Sequence, residues 1–291
     1  MISLRKARML ALVPILAGGA LLGTAAAAQT AGTDYFTYRN GGRIVVMPDD
    51  ADMAQMSASP MNLIDESTKT DWEGQGSQAV FVVELAEETE LSRIAFDTGF
   101  LNKDRKAPRS FTVELSNTSA NSGFEEVLSG QLRMKADNQS FSFKDGERPV
   151  GRWVRLTIQS NYGEDYTAFT GFHGFGRQMT NSVSMPGVTG SYEGASGLGA
   201  GHIRQDGNRV TGCYSYQQGE ISGVVKGRVL ILDITETDSS GSSTPRTGIF
   251  QFSPRDRGVL VGLVRNNTAS SRESYADYYR FEKTGNSANG C

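Results

Sequence analysis

The chain has 291 residues, with 29 Lys+Arg against 32 Asp+Glu, two His and a formal net charge of −3. A mildly acidic chain with no basic block lacks the electrostatic footprint of nucleic-acid binding and gains little from an anionic membrane surface, and two His exclude a His-rich metal site. Abundant Gly (34 residues) and the lack of any long stretch with apolar residues at helical spacing favour many short strands joined by turns, and the length suits two domains.

The chain opens with the three-part layout of a secretory signal peptide. Arg5, Lys6 and Arg8 precede an apolar stretch from Met9 to Leu22 and the run Ala25-Ala26-Ala27-Ala28, which predicts cleavage after Ala28. Broken by Pro14, Gly18 and Gly19, the apolar stretch is too short to span a bilayer of about 30 Å comfortably. The protein is expected in the periplasm or secreted, with no transmembrane span. Without residues 1–28 the balance is 26 Lys+Arg against 32 Asp+Glu, near −6.

A first domain is expected over residues 35–176. Apolar and polar residues alternate in Arg43–Met47, Ala79–Leu85, Leu91–Phe96, Ser110–Ser116, Gln139–Phe143 and Arg152–Gln159. In the last of these Val154, Leu156 and Ile158 share one face and Arg155 and Thr157 the other, the period of a strand with one buried face. The connections Asp49–Met61, Asn102–Ala107 and Ser160–Tyr166 are polar and unequal in length. Two packed sheets in a jelly-roll β-sandwich fit this better than a regular meander.

Asn40-Gly41-Gly42-Arg43-Ile44-Val45-Val46, then Asn62-Leu63-Ile64-Asp65 with Thr70 and Trp72, resemble the opening of a discoidin or coagulation-factor C-type domain. Ala107-Pro108-Arg109-Ser110-Phe111, Gly151-Arg152-Trp153-Val154-Arg155-Leu156, Ser160-Asn161-Tyr162-Gly163 and the stretch Tyr166 to Gly176 continue the likeness in order, over residues 40–176. The resemblance implies a galactose-binding-like sandwich, a scaffold used mostly for binding sugars, lipid headgroups or proteins. It also implies a structural calcium near Asn62–Thr70 with Asp65 as ligand, although Gly171 stands where the family supplies a Glu.

Residues 177–189 read as a linker, and residues 190–283 as an eight-stranded antiparallel up-and-down β-barrel with a tail at 284–291. Asp206-Gly207-Asn208, Gln217-Gln218-Gly219, Lys226-Gly227 and Pro254–Gly258 punctuate short β-prone runs as hairpin turns. Gly-Asn-Arg-Val-Thr-Gly-Cys-Tyr-Ser (207–215) and Gly-Glu-Ile-Ser-Gly (219–223) resemble small barrel modules appended to bacterial envelope proteins. Val229–Ile234 and Val259–Val264 are apolar on both faces, so the barrel's outside is expected to pack on the first domain or on another protein. In an oxidising compartment Cys213 and Cys291 are expected to form a disulfide.

Motifs of catalysis are missing: the sequence has no nucleophile elbow, Walker loop, zinc-protease helix or Cys-x-x-Cys. His173 and His202 both fall inside predicted strands and read as structural. The expectation is a non-catalytic binding protein. In a jelly roll the connection leaving the first strand and the one entering the last share an end, which gathers Tyr162 and Tyr166 as stacking plates with Asn102, Arg105, Asn161, Glu164 and Asp165 as hydroxyl ligands. An aromatic plate rimmed by planar polar groups suits a sugar ring, so the expected partner is a glycan or cell-envelope polysaccharide. The alternatives are a structural or protein-interaction role with an envelope protein as partner, and carriage of a small apolar ligand inside the barrel.

Overall fold

Alternating burial shapes the first domain strand by strand. In a computed structural model that describes residues 32–53, 58–99, 104–267 and 277–290, nine strands build the sandwich: β1 (Arg43–Val46), β2 (Trp72–Gln75), β3 (Ala79–Asp97), β4 (Pro108–Ser116), β5 (Glu125–Gln131), β6 (Gln139–Ser142), β7 (Val150–Asn161), β8 (Tyr166–Phe169) and β9 (Gly171–Gln178). The expected leader, Asn102 and Cys291 lie outside the described residues.

The main path runs β1-β3-β7-β4-β5, with β6 and β9 also pairing with β3, while β2 and β8 form a separate two-stranded sheet. All pairings are antiparallel. Val154, Leu156 and Ile158 of β7 are fully buried, as their period of two requires. They join Phe81, Phe96, Phe111 and Phe172 in one core, where Trp72 packs edge-on to Phe81 with ring centroids 4.8 Å apart.

The two strands expected at Ala79–Leu85 and Leu91–Phe96 are one. β3 is 19 residues long, and its register with β7 shifts between Glu84 and Thr89. The polar run that suggests a break is a bulge whose polar groups are engaged: Thr89 is fully buried, and Glu87 accepts hydrogen bonds from the Thr180 hydroxyl and the Ser182 amide, both at 2.5 Å, and from the Val183 amide. These partners, far along the chain, belong to the segment joining the domains, which is therefore fastened to β3.

The second domain is a closed antiparallel barrel of β10 (Gly190–Gly194), β11 (Gly199–Asp206), β12 (Arg209–Tyr214), β13 (Gly219–Lys226), β14 (Val229–Thr237), β15 (Ser243–Phe252), β16 (Val259–Asn266) and β17 (Asp277–Gly285). Its turns carry left-handed glycines where the sequence places them, Gly207 at φ 59° and Gly227 at φ 58°. The interior is filled by Tyr192, Leu232, Phe250, Leu260 and Phe281 among others, leaving a void of about 10 Å³. That is hardly room for one water, which removes the apolar-carrier alternative. At one end of this core, the carboxylate of Glu236 accepts from the Tyr214 and Tyr279 hydroxyls and faces Arg246 at 2.7 Å.

The apolar outer face of β14, β15 and β16 is used up at the junction. Val229, Ile249 and Leu263 are buried in the sandwich's own core cluster, with Ile231 and Val261 packed against it. Polar pins cross the same junction: the Gln251 amide donates to Tyr38 O (2.9 Å) and Gly42 O (3.1 Å), and the Tyr38 hydroxyl donates to Val261 O (2.9 Å). Sandwich and barrel thus form one compact unit. Among the described residues no helix is long and apolar enough to cross a membrane.

Candidate functional site

Backbone pairing assembles one end of the sandwich from four segments. Pro108 opposes Asn161, so the turn before β4 lies beside the loop after β7. There the Tyr162 amide donates to Arg105 O and the Arg105 Nε donates to Tyr162 O, both at 3.1 Å. β8 pairs with β2 from Trp72↔Phe169 to Gln75↔Tyr166, and the Gly76 amide donates to Asp165 O at 2.7 Å. The Gln75 amide reaches Asp50 Oδ2 at 3.1 Å, which brings in the connection after β1.

Within this end the side chains divide into those that hold the loop and those that face out. Asn161 is buried; its Nδ2 donates to Glu164 O (2.8 Å) and Tyr166 O (2.9 Å), and its Oδ1 accepts from the Gly163 amide (2.9 Å). It is a bracket for the 161–166 turn, where Gly163 takes φ 98°. Tyr162 lies against Ala107 and Ala168 and donates its hydroxyl to Leu132 O at 2.5 Å. Both residues shape the loop from within, rather than lining a surface as sequence reasoning places them.

Tyr166 is the outward plate, 44% exposed, with the Lys106 ammonium 5.3 Å from its ring centroid. Lys106 is held there by Glu73 on β2, Nζ to Oε2 at 2.5 Å. Glu164 is half-buried and Asp165 exposed beside it. Sequence reasoning picks out Tyr166, Arg105, Glu164 and Asp165 but misses Lys106 and Glu73, because only the β2–β8 pairing, across some ninety residues, shows that they meet at the same ring. Cation and ring attract one another by about 0.5–1 kcal/mol near a protein surface.

Asp65 serves its own loop. Its Oδ1 accepts from the Ser67 amide (2.9 Å) and its Oδ2 from the Thr70 hydroxyl (2.7 Å), and burial raises its pKa to about 7 although both bonds pull the other way. A Cβ at Gly171 would meet His173 Nε2 at 2.5 Å, so a Glu there has no room. Among the described residues no group of three His, Cys, Asp or Glu side chains is arranged to hold a metal ion. This donor set does not fit the calcium cage that the resemblance implies.

His173 lies between two carboxylates, Nδ1 at 2.7 Å from Asp34 Oδ2 and Nε2 at 2.9 Å from Asp97 Oδ2. Burial alone would lower its pKa, but the two bonds and charges raise it to about 10, so the ring is an imidazolium at neutral pH. Both nitrogens are occupied, and the group ties the N-terminal segment to β3 and β9.

Residues 54–178, the greater part of the sandwich, match the family described as Sad1 / UNC-like C-terminal. No curated protein matches the chain. Among solved structures, the chain is similar to a putative chitobiase fragment (298–461) from Bacteroides thetaiotaomicron, at 14% identity and TM-score 0.44, over 53% of this chain and 98% of that one. Another is CpGH89CBM32-5 from Clostridium perfringens in complex with GalNAc-β-1,3-galactose, at 11% identity and TM-score 0.41, over 49% and 99%. A third, the family 32 carbohydrate-binding module of C. perfringens NanJ in complex with galactose, has 12% identity and TM-score 0.36, over 46% and 91%.

Proposed function

We propose that this chain is an exported, non-catalytic binding protein that holds carbohydrate of the cell envelope at the loop end of its sandwich. The observation that carries the reading is Tyr166: an exposed ring fixed at its base by β8, with the Lys106–Glu73 pair beside it, Glu164 and Asp165 just before it in the chain, and Arg105 on the same loop end. A sugar lays its C–H face on such a plate while charged and planar groups around it take the hydroxyls. The loop is built for standing still, since Asn161 and Tyr162 spend their polar groups on its backbone, and pre-organisation lowers the entropic cost of binding. A binding rather than a catalytic role is supported by His173, whose two nitrogens are both engaged by carboxylates.

The test is a glycan array followed by titration of the leading hits with the parent chain and with Tyr166→Ala. Binding that weakens at least tenfold in the variant, about 1.4 kcal/mol, supports the reading. No binding to any glycan at millimolar concentration, or binding indifferent to Tyr166, overturns it.

A further inference from the structure

A second cleft, of about 210 Å³, opens away from the loop end, where the N-terminal segment, the bulge of β3, the interdomain segment and the β13–β14 turn converge. Clefts at domain junctions are favoured places for small ligands. The walls of this one are fixed. The buried Arg228 guanidinium donates from Nε to Gly41 O at 2.7 Å and from Nη2 to Glu84 O at 2.6 Å. The Met185 amide donates to Gly227 O at 2.7 Å, and Glu87 holds residues 180–183 in place. Gly41, at φ +89°, forms part of the floor; a Cβ there would come within 2.9 Å of the Ala86 Cβ.

Charge and hydrogen-bonding chemistry at this cleft point the same way. Glu84 is shared by three arginines: Arg43 Nη2 at 2.8 Å, Arg228 Nη1 at 3.0 Å and Arg152 Nη2 at 3.4 Å. Lys226, exposed on the rim, and Arg39, on the wall, bring the cations to five. Against these five cations, of which Arg43 and Arg152 lie behind the lining, stand three carboxylates: Glu84, Glu66 at 2.9 Å from Arg39, and Glu87, whose oxygens are taken by the interdomain segment. A surplus of positive charge in a half-buried place attracts an anion. Tyr35, Asn40, Gln178 and Asn181 line the same space and supply a phenol and three carboxamides, groups that pair with hydroxyls.

We propose that this junction cleft is a second ligand site, which takes a small hydroxylated anion of the sugar-acid class. It is distinct from the loop end and does not depend on the reading of Tyr166. Lys226 meets the carboxylate at the rim, Asn181 and Gln178 take hydroxyls, and the Arg228 cluster supplies the field that favours the charged form.

The experiment is titration of the full chain with galacturonate, galactose and inorganic phosphate, followed by amide chemical shifts, in the parent and in Lys226→Gln, Asn181→Ala and Tyr166→Ala. The expected result is galacturonate binding that shifts the Gly227 and Val183 amides, weakens about tenfold in Lys226→Gln and Asn181→Ala, and persists in Tyr166→Ala. Galactose shifting the Gly227 and Val183 amides as tightly would overturn the anionic half of the proposal, and phosphate doing so as tightly would overturn the hydroxylated half. No galacturonate binding at millimolar concentration, or binding abolished by Tyr166→Ala alone, would overturn the site itself, and the last outcome would assign that ligand to the loop end.

Discussion

Arg228 and Glu84, 144 residues apart in the chain, meet at the junction of the two domains with Nη1 3.0 Å from Oε1 and with the same guanidinium bonded to the Glu84 carbonyl. Burial, and then the charge of Arg43, lower Arg228 to about 10, still well above neutral pH, so the pair is ionic. Arg228→Met leaves Gly41 O and Glu84 O without donors inside the junction. Because Glu84 keeps Arg43, the loss belongs at the lower end of the range for a broken buried pair, about 3 kcal/mol. Urea denaturation measures it. Both tryptophans, Trp72 and Trp153, lie in the sandwich, so fluorescence reports that domain while circular dichroism reports both. The two curves should coincide in the parent, and separated curves there would contradict a single cooperative unit.

Stability should fall as pH rises from neutrality to about 10. His173 has a folded pKa raised from 6.5 to about 10, so its contribution is complete below 6.5 and is lost as the ring deprotonates through 10. Asp97, whose pKa is lowered by His173 against the opposing effect of burial, adds stability above 3.8 that is lost in acid. Thermal unfolding across pH 6 to pH 10 should show this slope in the parent and a flatter one in His173→Gln. Equal slopes would remove the imidazolium from the account.

Asp65 works in the opposite sense. Its folded pKa is raised to about 7 from 3.8, so ionising it costs the folded state stability as pH rises through that window. Asp65→Asn keeps the shape and can still accept from Ser67 while donating to Thr70. It should raise the melting temperature at pH 8 more than at pH 4. A lower melting temperature at pH 8 would show that the charge itself is needed there, as a cation ligand would need it.

The tail lies where a bridge would want it. Ser191 Oγ donates to Ser287 O at 2.6 Å, and a Cβ at Gly290 would meet the ring of His202, the cross-strand neighbour of Cys213. Cys291 follows directly in sequence. A Cys213–Cys291 disulfide should appear as a loss of two hydrogens in the intact mass, and Cys291→Ser should cost about 2–4 kcal/mol. Two thiols free to alkylation in the native chain would refute the bridge.

Turn chemistry made the barrel legible: left-handed Gly207 and Gly227 stand where sequence places hairpins, and the strands between them carry strong alternation. The sandwich was harder for two reasons. β2 and β8 have only four residues each, too few for a period to show, and β5 is polar because none of its residues is fully buried. The loop end as a place follows from jelly-roll topology, but the roles of its residues do not. Asn161 and Tyr162 look like ligand groups by residue type, yet they turn inward, and nothing in a sequence reports the direction of a loop side chain.

Glu87 gathers Thr180, Ser182 and Val183 onto the middle of β3. A tether fastened in this way is a strut instead of a hinge. Tension applied through the C-terminal module arrives along a strand paired with β1, β6, β7 and β9, and must shear that sheet to pull the modules apart. A module loaded from one end would gain by this wiring, since the strain enters along a strand paired with four others.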